Sequence, residues 1–221
     1  MTSNFVQARI QTPGQALSNS RRLALKGLAV IAATPVPMLL TACSPSTSKP
    51  VFQSIDLTGA EYAKGFTLAD YNGKTRSLAD FAGQVVVVFF GFTQCPDVCP
   101  TALVELAEVK RLLGKNGSKM QGIFITLDPE RDTPEVLKAY VANFDPGFLA
   151  LRPTMEQLPE VARSYKIFYK KVDGKTPSSY SLDHSTGTYV YDPKGNLRLY
   201  SRHASGAAVL ASDIALLLKS A

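Results

Sequence analysis

Residues 85–100 read VVVVFFGFTQCPDVCP, and this stretch decides the fold of the domain that contains it. Its first six residues are apolar, a run too short for a helix. β-Branched and aromatic side chains in such a run favour a strand that is covered on both faces. Residues 102–113 follow with apolar side chains at helical spacing and end at Gly114, a natural helix stop. The sequence therefore predicts a buried strand, a loop with two cysteines and a helix in direct succession.

The rest of the chain supplies further strands and helices around this unit. Residues 121–127 predict a second buried strand, and Thr133-Pro134 predicts the start of a helix that runs to about residue 144, because the hydroxyl caps the helix and the proline fits its first position. We also predict helices over residues 157–165 and 207–219, and hairpins that pair residues 66–68 with 75–78 and residues 188–191 with 197–201. This order is typical of an α/β, thioredoxin-like domain, with a central mixed sheet flanked by helices and extra hairpins.

Charge separates the first 42 residues from the remainder. The chain has 221 residues, 45% of them hydrophobic, and a formal net charge of +6. Residues 1–42 carry four basic residues and no acidic one, so the remainder holds 20 basic and 18 acidic residues. Because the remainder is nearly neutral and has no run of five or six like charges, the composition argues against nucleic acid as a partner.

The first 42 residues also contain two patterns that are typical of bacterial export. Residues 20–26, SRRLALK, are similar to a twin-arginine signal, and Leu40-Thr41-Ala42-Cys43 is similar to a lipobox, in which the cysteine receives lipid. We predict an export and lipoprotein signal over residues 1–42, a lipid anchor on Cys43, a flexible tether over residues 43–54 and one domain over residues 55–221. An uncleaved membrane anchor and an unlipidated signal are the alternatives. All three place the domain outside the cytoplasm, and the first places it on the periplasmic side of a bacterial membrane.

Cys95 and Cys99 remain as a pair if Cys43 carries lipid. Pro100 has no amide hydrogen and disfavours helical geometry at the residue before it, so we predict Cys99 as the helix cap and Cys95 in the preceding loop. The positive pole of the helix then favours thiolates by about 0.3–1 kcal/mol. Such a pair is suited to binding a soft metal, to forming a redox-active disulfide, or to both. A static disulfide and two inert buried thiols are the structural alternatives.

A metal site needs a third ligand, and the chain has two histidines. His184 lies just before the strand predicted at residues 188–191, where Asp183 or a neighbouring carbonyl is placed to orient its ring. His203 follows the next predicted strand and is expected to be a loop residue. Most histidines lie on the surface or in a satisfied core position, so the residue pattern alone does not make either one a ligand.

Three segments together resemble the Sco/SenC family of membrane-tethered, thioredoxin-like copper proteins. They are residues 91–100, the segment LDPERDTP at residues 127–134, and Asp183-His184, in the same order as in that family. The resemblance implies copper, as Cu(I) or Cu(II), held by Cys95, Cys99 and His184. It also implies a role in assembling the binuclear copper centre of cytochrome c oxidase, by delivering copper to the copper-receiving subunit or by reducing the cysteines of that subunit. Residues 128–134 are expected only to end a strand and cap a helix.

A metal-free thiol-disulfide oxidoreductase outside the cytoplasm is the main alternative function, with Cys95 and Cys99 as its redox pair. Three residues separate these cysteines, whereas two separate the cysteines of thioredoxin-like enzymes, which weighs against this alternative. Zinc accepts the same three ligands with a water in the fourth position. Peroxiredoxins have a threonine three residues and a proline seven residues before the reactive cysteine. A peroxidase is disfavoured because neither Cys95 nor Cys99 has these residues at those positions. An interaction module with structural cysteines is the remaining alternative.

Overall fold

The structure is a computed structural model that describes residues 50–176 and 179–220. The predicted signal, Cys43 and the first part of the predicted tether lie outside the described residues. The helices are α1 (Val98–Leu112), α2 (Pro134–Ala142), α3 (Leu158–Ser164) and α4 (Ala207–Lys219). The strands are β1 (Ile55–Asp56), β2 (Thr67–Asp70), β3 (Thr75–Ser77), β4 (Val85–Gly91), β5 (Met120–Thr126), β6 (Leu149–Arg152), β7 (Tyr169–Val172), β8 (Ser181–His184), β9 (Thr188–Tyr191) and β10 (Leu197–Ser201). Short 3-10 helices cover Leu78–Phe81 and Gly114–Lys119.

Eight of these strands form one mixed sheet in the order β1-β10-β9-β4-β5-β6-β2-β3. β5 lies between β4 and β6 and is parallel to both, and the other neighbouring strands of the sheet run antiparallel. β7 and β8 form a separate antiparallel hairpin. The mixed sheet and the surrounding helices confirm the predicted thioredoxin-like α/β fold.

β4 occupies the centre of the sheet, and all seven of its residues are buried. A strand with neighbours on both sides and helices on its faces has no side chain in water, which explains its unbroken apolar sequence. Each valine or phenylalanine that it buries contributes about 1.5–3 kcal/mol to folding. α1 connects β4 to β5, α2 connects β5 to β6, and α4 packs against α1 and contacts β4. The cysteine loop therefore leaves the most deeply buried strand of the domain.

The predicted helix starts are confirmed at α2 and wrong at α1. Thr133 caps α2, with its hydroxyl oxygen accepting a hydrogen bond from the Val136 amide at 3.3 Å. α1 begins at Val98 with Asp97 as its cap, so Cys99 is the second residue of the helix and does not cap it. Pro100 is the third residue, where a backbone amide has no intrahelical partner, so the proline removes no hydrogen bond there.

The last residues of the predicted tether are bound to the domain. The backbone amides of Gln53 and Ser54 donate hydrogen bonds of 2.9 and 2.8 Å to the carboxylate of Asp213, which is buried on α4. The ordered domain therefore includes residues before the predicted boundary at Ile55. Within the described ranges, no helix has both the length and the hydrophobicity needed to cross a membrane.

Candidate metal centre

The sheet topology brings three loops to one edge of the sheet, the edge formed by the carboxyl ends of β4 and β5. Parallel β4 and β5 end at this edge, so the cysteine loop after Gly91 and the loop after Thr126 lie side by side. β9 runs antiparallel to β4, with Thr188 opposite Phe89, so the residues that precede β9 lie at the same edge. His184, at the end of β8, belongs to that third segment.

Cys95, Cys99 and His184 each contribute one donor atom to a single cluster. The three donor atoms lie within 4.8 Å of one another, and Cys99 Sγ is 3.5 Å from His184 Nε2. Sulfur and imidazole ligands lie about 2.0–2.3 Å from a metal, so two donors on one ion are up to about 4.6 Å apart. Small movements therefore suffice for all three to reach one ion. Among the described residues, the cluster includes His184 and does not include His203.

The Cys99 side chain is fully buried beneath the loop, in space that a glycine leaves open. A β-carbon at Gly91 would lie 2.6 Å from the Cys99 sulfur and 3.0 Å from the Phe124 ring. Any side chain at position 91 would therefore displace the sulfur. Gly91, the last residue of β4, leaves room for the Cys99 sulfur because it has no side chain.

The two thiols differ in acidity because one donates to the other. A hydrogen bond from the Cys99 thiol, together with amides of the first helical turn, lowers the pKa of Cys95 to about 5 although burial opposes this. The Cys99 amide is 3.5 Å from the Cys95 sulfur. The same pairing with Cys95, and its own burial, raise the pKa of Cys99. At neutral pH the pair therefore consists of a Cys95 thiolate and a Cys99 thiol.

The ring of His184 is oriented by a backbone carbonyl. Nδ1 lies 2.8 Å from the carbonyl oxygen of Ser185. Because a carbonyl only accepts, we assign the ring proton to Nδ1, which leaves the lone pair of Nε2 directed toward Cys99. Phe92 packs edge-on against the ring with centroids 5.9 Å apart. Of the two predicted partners, the neighbouring carbonyl makes the contact, while Asp183 is exposed on β8.

The loop after β5 has a role that the sequence analysis missed. Asp132 is fully buried, and its carboxylate accepts hydrogen bonds from the amide and hydroxyl of Thr93, at 3.1 and 2.5 Å, and from the hydroxyl of Thr126 at 2.5 Å. Burial raises the pKa of Asp132. Thr93 lies in the cysteine loop, so Asp132 fastens that loop to the end of β5.

Arg131 in the same loop contacts both ligand-bearing segments. Its guanidinium donates to the Gln94 side-chain oxygen at 2.9 Å and to the Tyr180 carbonyl at 2.8 Å, and it forms an ion pair with Asp128. The guanidinium carbon lies 3.5 Å from the centroid of the Tyr180 ring. The available signal in the sequence was the group of charged residues directly after a buried strand, at the edge where α/β sheets place ligands.

Comparison with known proteins finds a matching family and several relatives of this chain. The SCO1/SenC family model matches residues 56–219. The SCO2-like protein RP587 of Rickettsia prowazekii is 39% identical over 139 residues, which cover 62% of this chain and 66% of that protein. The chain thus spans slightly less than two thirds of the length of that relative.

Two solved structures of relatives have copper bound. ScoI of Bradyrhizobium japonicum is 38% identical, with a TM-score of 0.62 over 68% of this chain and 96% of that one. Yeast Sco1 is 31% identical, with a TM-score of 0.64 over 71% of this chain and 88% of that one. Copper, the metal predicted for the three-donor cluster, is thus the metal found in related structures. The family match over most of the described domain shows that this chain is a member of the SCO1/SenC family.

Proposed function

We propose that the chain binds one copper ion through Cys95, Cys99 and His184 and assists assembly of the binuclear copper centre of cytochrome c oxidase. The observation that carries this proposal is the convergence of three donors although His184 is 85 residues from the nearer cysteine, Cys99. Two sulfurs and one imidazole suit soft Cu(I) and also hold Cu(II). The copper-bound structures of two relatives support the choice of metal.

The protonation states of the donors prepare them for a metal cargo. Cys95 offers a thiolate, His184 offers the lone pair of Nε2, and Cys99 releases one proton when it becomes a ligand. Cys95 is partly exposed whereas Cys99 is buried. An arriving ion therefore meets Cys95 before Cys99, and a departing ion leaves past Cys95. A site that is open at one sulfur suits transfer to another protein better than permanent storage.

Reduction of the recipient's cysteines is the second candidate function, and the low pKa of Cys95 favours it. The Cys95 thiolate would attack a disulfide of the recipient, forming a mixed disulfide and releasing one recipient thiolate. Cys99 would then lose its proton and attack Cys95 Sγ, releasing the second recipient thiolate. Two electrons pass to the recipient, and a Cys95–Cys99 disulfide remains.

One experiment separates delivery from reduction. The copper-receiving domain of cytochrome c oxidase is mixed, in its reduced form, with the copper-loaded protein, and, in its oxidised form, with the metal-free reduced protein. Metal transfer is followed by metal analysis of the recipient after separation, and reduction is followed by counting the thiols of the recipient. His184→Ala is expected to abolish delivery and to retain reduction, while Cys95→Ala and Cys99→Ala abolish both. Absence of copper transfer from the wild-type protein would leave reduction as the function.

We also propose that a lipid on Cys43 anchors the mature protein on the outer side of a bacterial membrane. Residues 20–26 and the lipobox at residues 40–43 support this location. Residues 44–52 would then act as the tether between the anchor and the first residues fixed by Asp213. Labelled fatty acid should be incorporated by the wild-type chain and by Ser44→Ala, and should be absent from Cys43→Ala. Equal labelling of Cys43→Ala would exclude the lipid anchor.

A further inference from the structure

We propose that Arg131 is a positioning residue for His184, and that its contacts set whether the histidine and the two cysteines act as one metal site. The inference rests on the copper site proposed above. It assigns the role to a side chain that is not itself a donor.

The histidine lies on a hairpin that is separate from the main sheet. β7 and β8 pair with each other, and neither is a strand of the eight-stranded sheet. Three of the four residues of β7 are exposed. The pairing of β9 with β4 brings the end of the hairpin to the cysteine loop, but no strand pairing joins the hairpin itself to the main sheet. Side-chain contacts must therefore set its orientation against the loop.

Arg131 makes such contacts with both the cysteine loop and the hairpin. Gln94, which accepts one of its hydrogen bonds, is adjacent to Cys95 in sequence. Tyr180, whose carbonyl accepts another, directly precedes β8 and lies four residues before His184. A planar guanidinium with five N–H groups can serve several acceptors at fixed angles, which a lysine ammonium cannot. The arginine thus bridges the segment with Cys95 and the segment with His184.

Asp128 and Tyr180 hold the arginine in place. The side chain of Arg131 is mostly buried, and the carboxylate of Asp128 pairs with it. The Tyr180 hydroxyl donates to the same carboxylate at 2.7 Å, and the guanidinium stacks on the Tyr180 ring. The three side chains therefore form a closed unit, which resists rotation of the hairpin relative to the loop.

The cysteine loop is held by contacts of its own, so the position of His184 can be changed without changing the position of the cysteines. Asp132 fastens Thr93 to the end of β5, and Cys99 lies within α1. Neither contact involves Arg131. Removing the arginine side chain should therefore release the hairpin with His184 while the cysteine pair keeps its geometry and reactivity.

The test is a double-mutant cycle in the full chain. Arg131→Gln is expected to weaken copper binding about 10–100-fold, the usual effect of removing a group that orients a metal ligand. Arg131→Lys should fail to restore the affinity. In a His184→Ala background only the two cysteines remain to hold Cu(I), and the Arg131→Gln change should not lower this weaker, residual affinity further, because the residue it positions is absent. Affinity is measured by competition with a chelator for Cu(I).

A second readout uses the metal-free, reduced protein. The His184 and Phe92 rings are nearly perpendicular with centroids 5.9 Å apart, so the NMR shifts of the His184 ring protons report whether the imidazole keeps its place beside Phe92. Arg131→Gln should move these shifts, while the alkylation rate of Cys95 stays at the wild-type value. Arg76→Gln is the matched control, because Arg76 also pairs with a buried aspartate, Asp70, but lies on β3 at the far edge of the sheet. It should change neither the shifts nor the copper affinity.

Three results would overturn the inference. They are an unchanged copper affinity in Arg131→Gln, an equal loss in the His184→Ala background, and an equal loss in Arg76→Gln. If Arg131→Gln does not fold, Gln94→Ala cuts the link to the loop at an exposed residue and should shift the same resonances to a smaller extent. Unchanged resonances would then reject the role. If the wild-type protein binds no copper, the proposed function fails, and the NMR comparison still decides the positioning role.

Discussion

The sulfur of Cys99 occupies the space that a side chain on Gly91 would fill, 2.6 Å from the position of the missing β-carbon. One residue ends the central strand and the other lies in the first turn of α1. The close approach of strand and helix therefore depends on the absence of a side chain at position 91. This relationship couples the packing of the core to the position of a metal ligand.

Gly91→Ala is expected to lower both stability and copper binding. The added methyl group must displace the sulfur or the Phe124 ring, and such overpacking costs about 1–3 kcal/mol. The free energy of unfolding in urea and the copper affinity are the measurements. Gly122→Ala on β5 is the control, since its methyl group meets the Phe148 ring at 2.6 Å and does not approach the thiols. It should lose comparable stability and keep its copper affinity, and a wild-type affinity in Gly91→Ala would contradict the account.

The thiol of Cys95 is expected to react as a thiolate in mildly acidic solution. Its rate of alkylation by iodoacetamide in the metal-free protein should rise with a midpoint near pH 5, because the hydrogen bond from Cys99 stabilises the anion. Cys99→Ala removes that donor and should move the midpoint upward. Mass spectrometry should find Cys95 modified before Cys99. A wild-type midpoint near the ordinary cysteine value, about 8.5, would contradict the assignment.

The buried carboxyl of Asp132 should make stability depend on pH. Burial raises its pKa in the folded protein above the unfolded value of about 3.9, so the folded state holds this proton more tightly. This contribution to stability is complete below the unfolded pKa and is lost as the pH rises through the folded pKa. The stability of the wild type relative to Asp132→Asn, measured by urea unfolding, should therefore fall as the pH rises above about 4. A constant difference would mean that folding does not change the pKa of Asp132, and a growing difference would mean that folding lowers it.

The carboxylate of Asp213 is expected to set where the ordered domain begins. Asp213→Asn replaces one acceptor oxygen by a donor facing the amides of Gln53 and Ser54, at a cost of about 1–3 kcal/mol. Hydrogen exchange at those two amides should accelerate. Ser212→Ala, at the exposed neighbouring position on α4, should leave exchange unchanged. Slow exchange in Asp213→Asn would mean that other contacts hold the segment.

Much of the fold was predictable because local patterns carry it. β4 is uniformly apolar, Thr133-Pro134 marks the start of α2, and α4 matches its predicted bounds of Ala207–Lys219. The start of α1 was misplaced because Pro100 was treated as a helix breaker, although a proline in the first turn removes no intrahelical hydrogen bond. β6 and the β7–β8 hairpin were not predicted, since strands of four residues, mostly exposed in β7, give little periodic signal.

The candidate site was less accessible to the sequence alone. The spacing of Cys95 and Cys99 identified the pair, but His184 is 85 residues from Cys99 and was selected through the family resemblance. The contacts of Arg131 and Asp132 depend on which loops meet at the sheet edge. Which loops lie together depends on the order of the strands in the sheet, and local residue patterns do not specify that order. The LDPERDTP segment accordingly suggested only a strand end and a helix cap.

Copper retention by single-histidine variants shows whether His184 is the third ligand of the site. The reduced, purified wild-type protein and its His184→Ala and His203→Ala variants are incubated with copper and a competing chelator, separated from small molecules, and analysed for metal and thiols. We expect one copper ion per chain in the wild type and in His203→Ala, and loss of the metal from His184→Ala with its thiols intact. Equal retention by His184→Ala and the wild type would contradict the three-donor site.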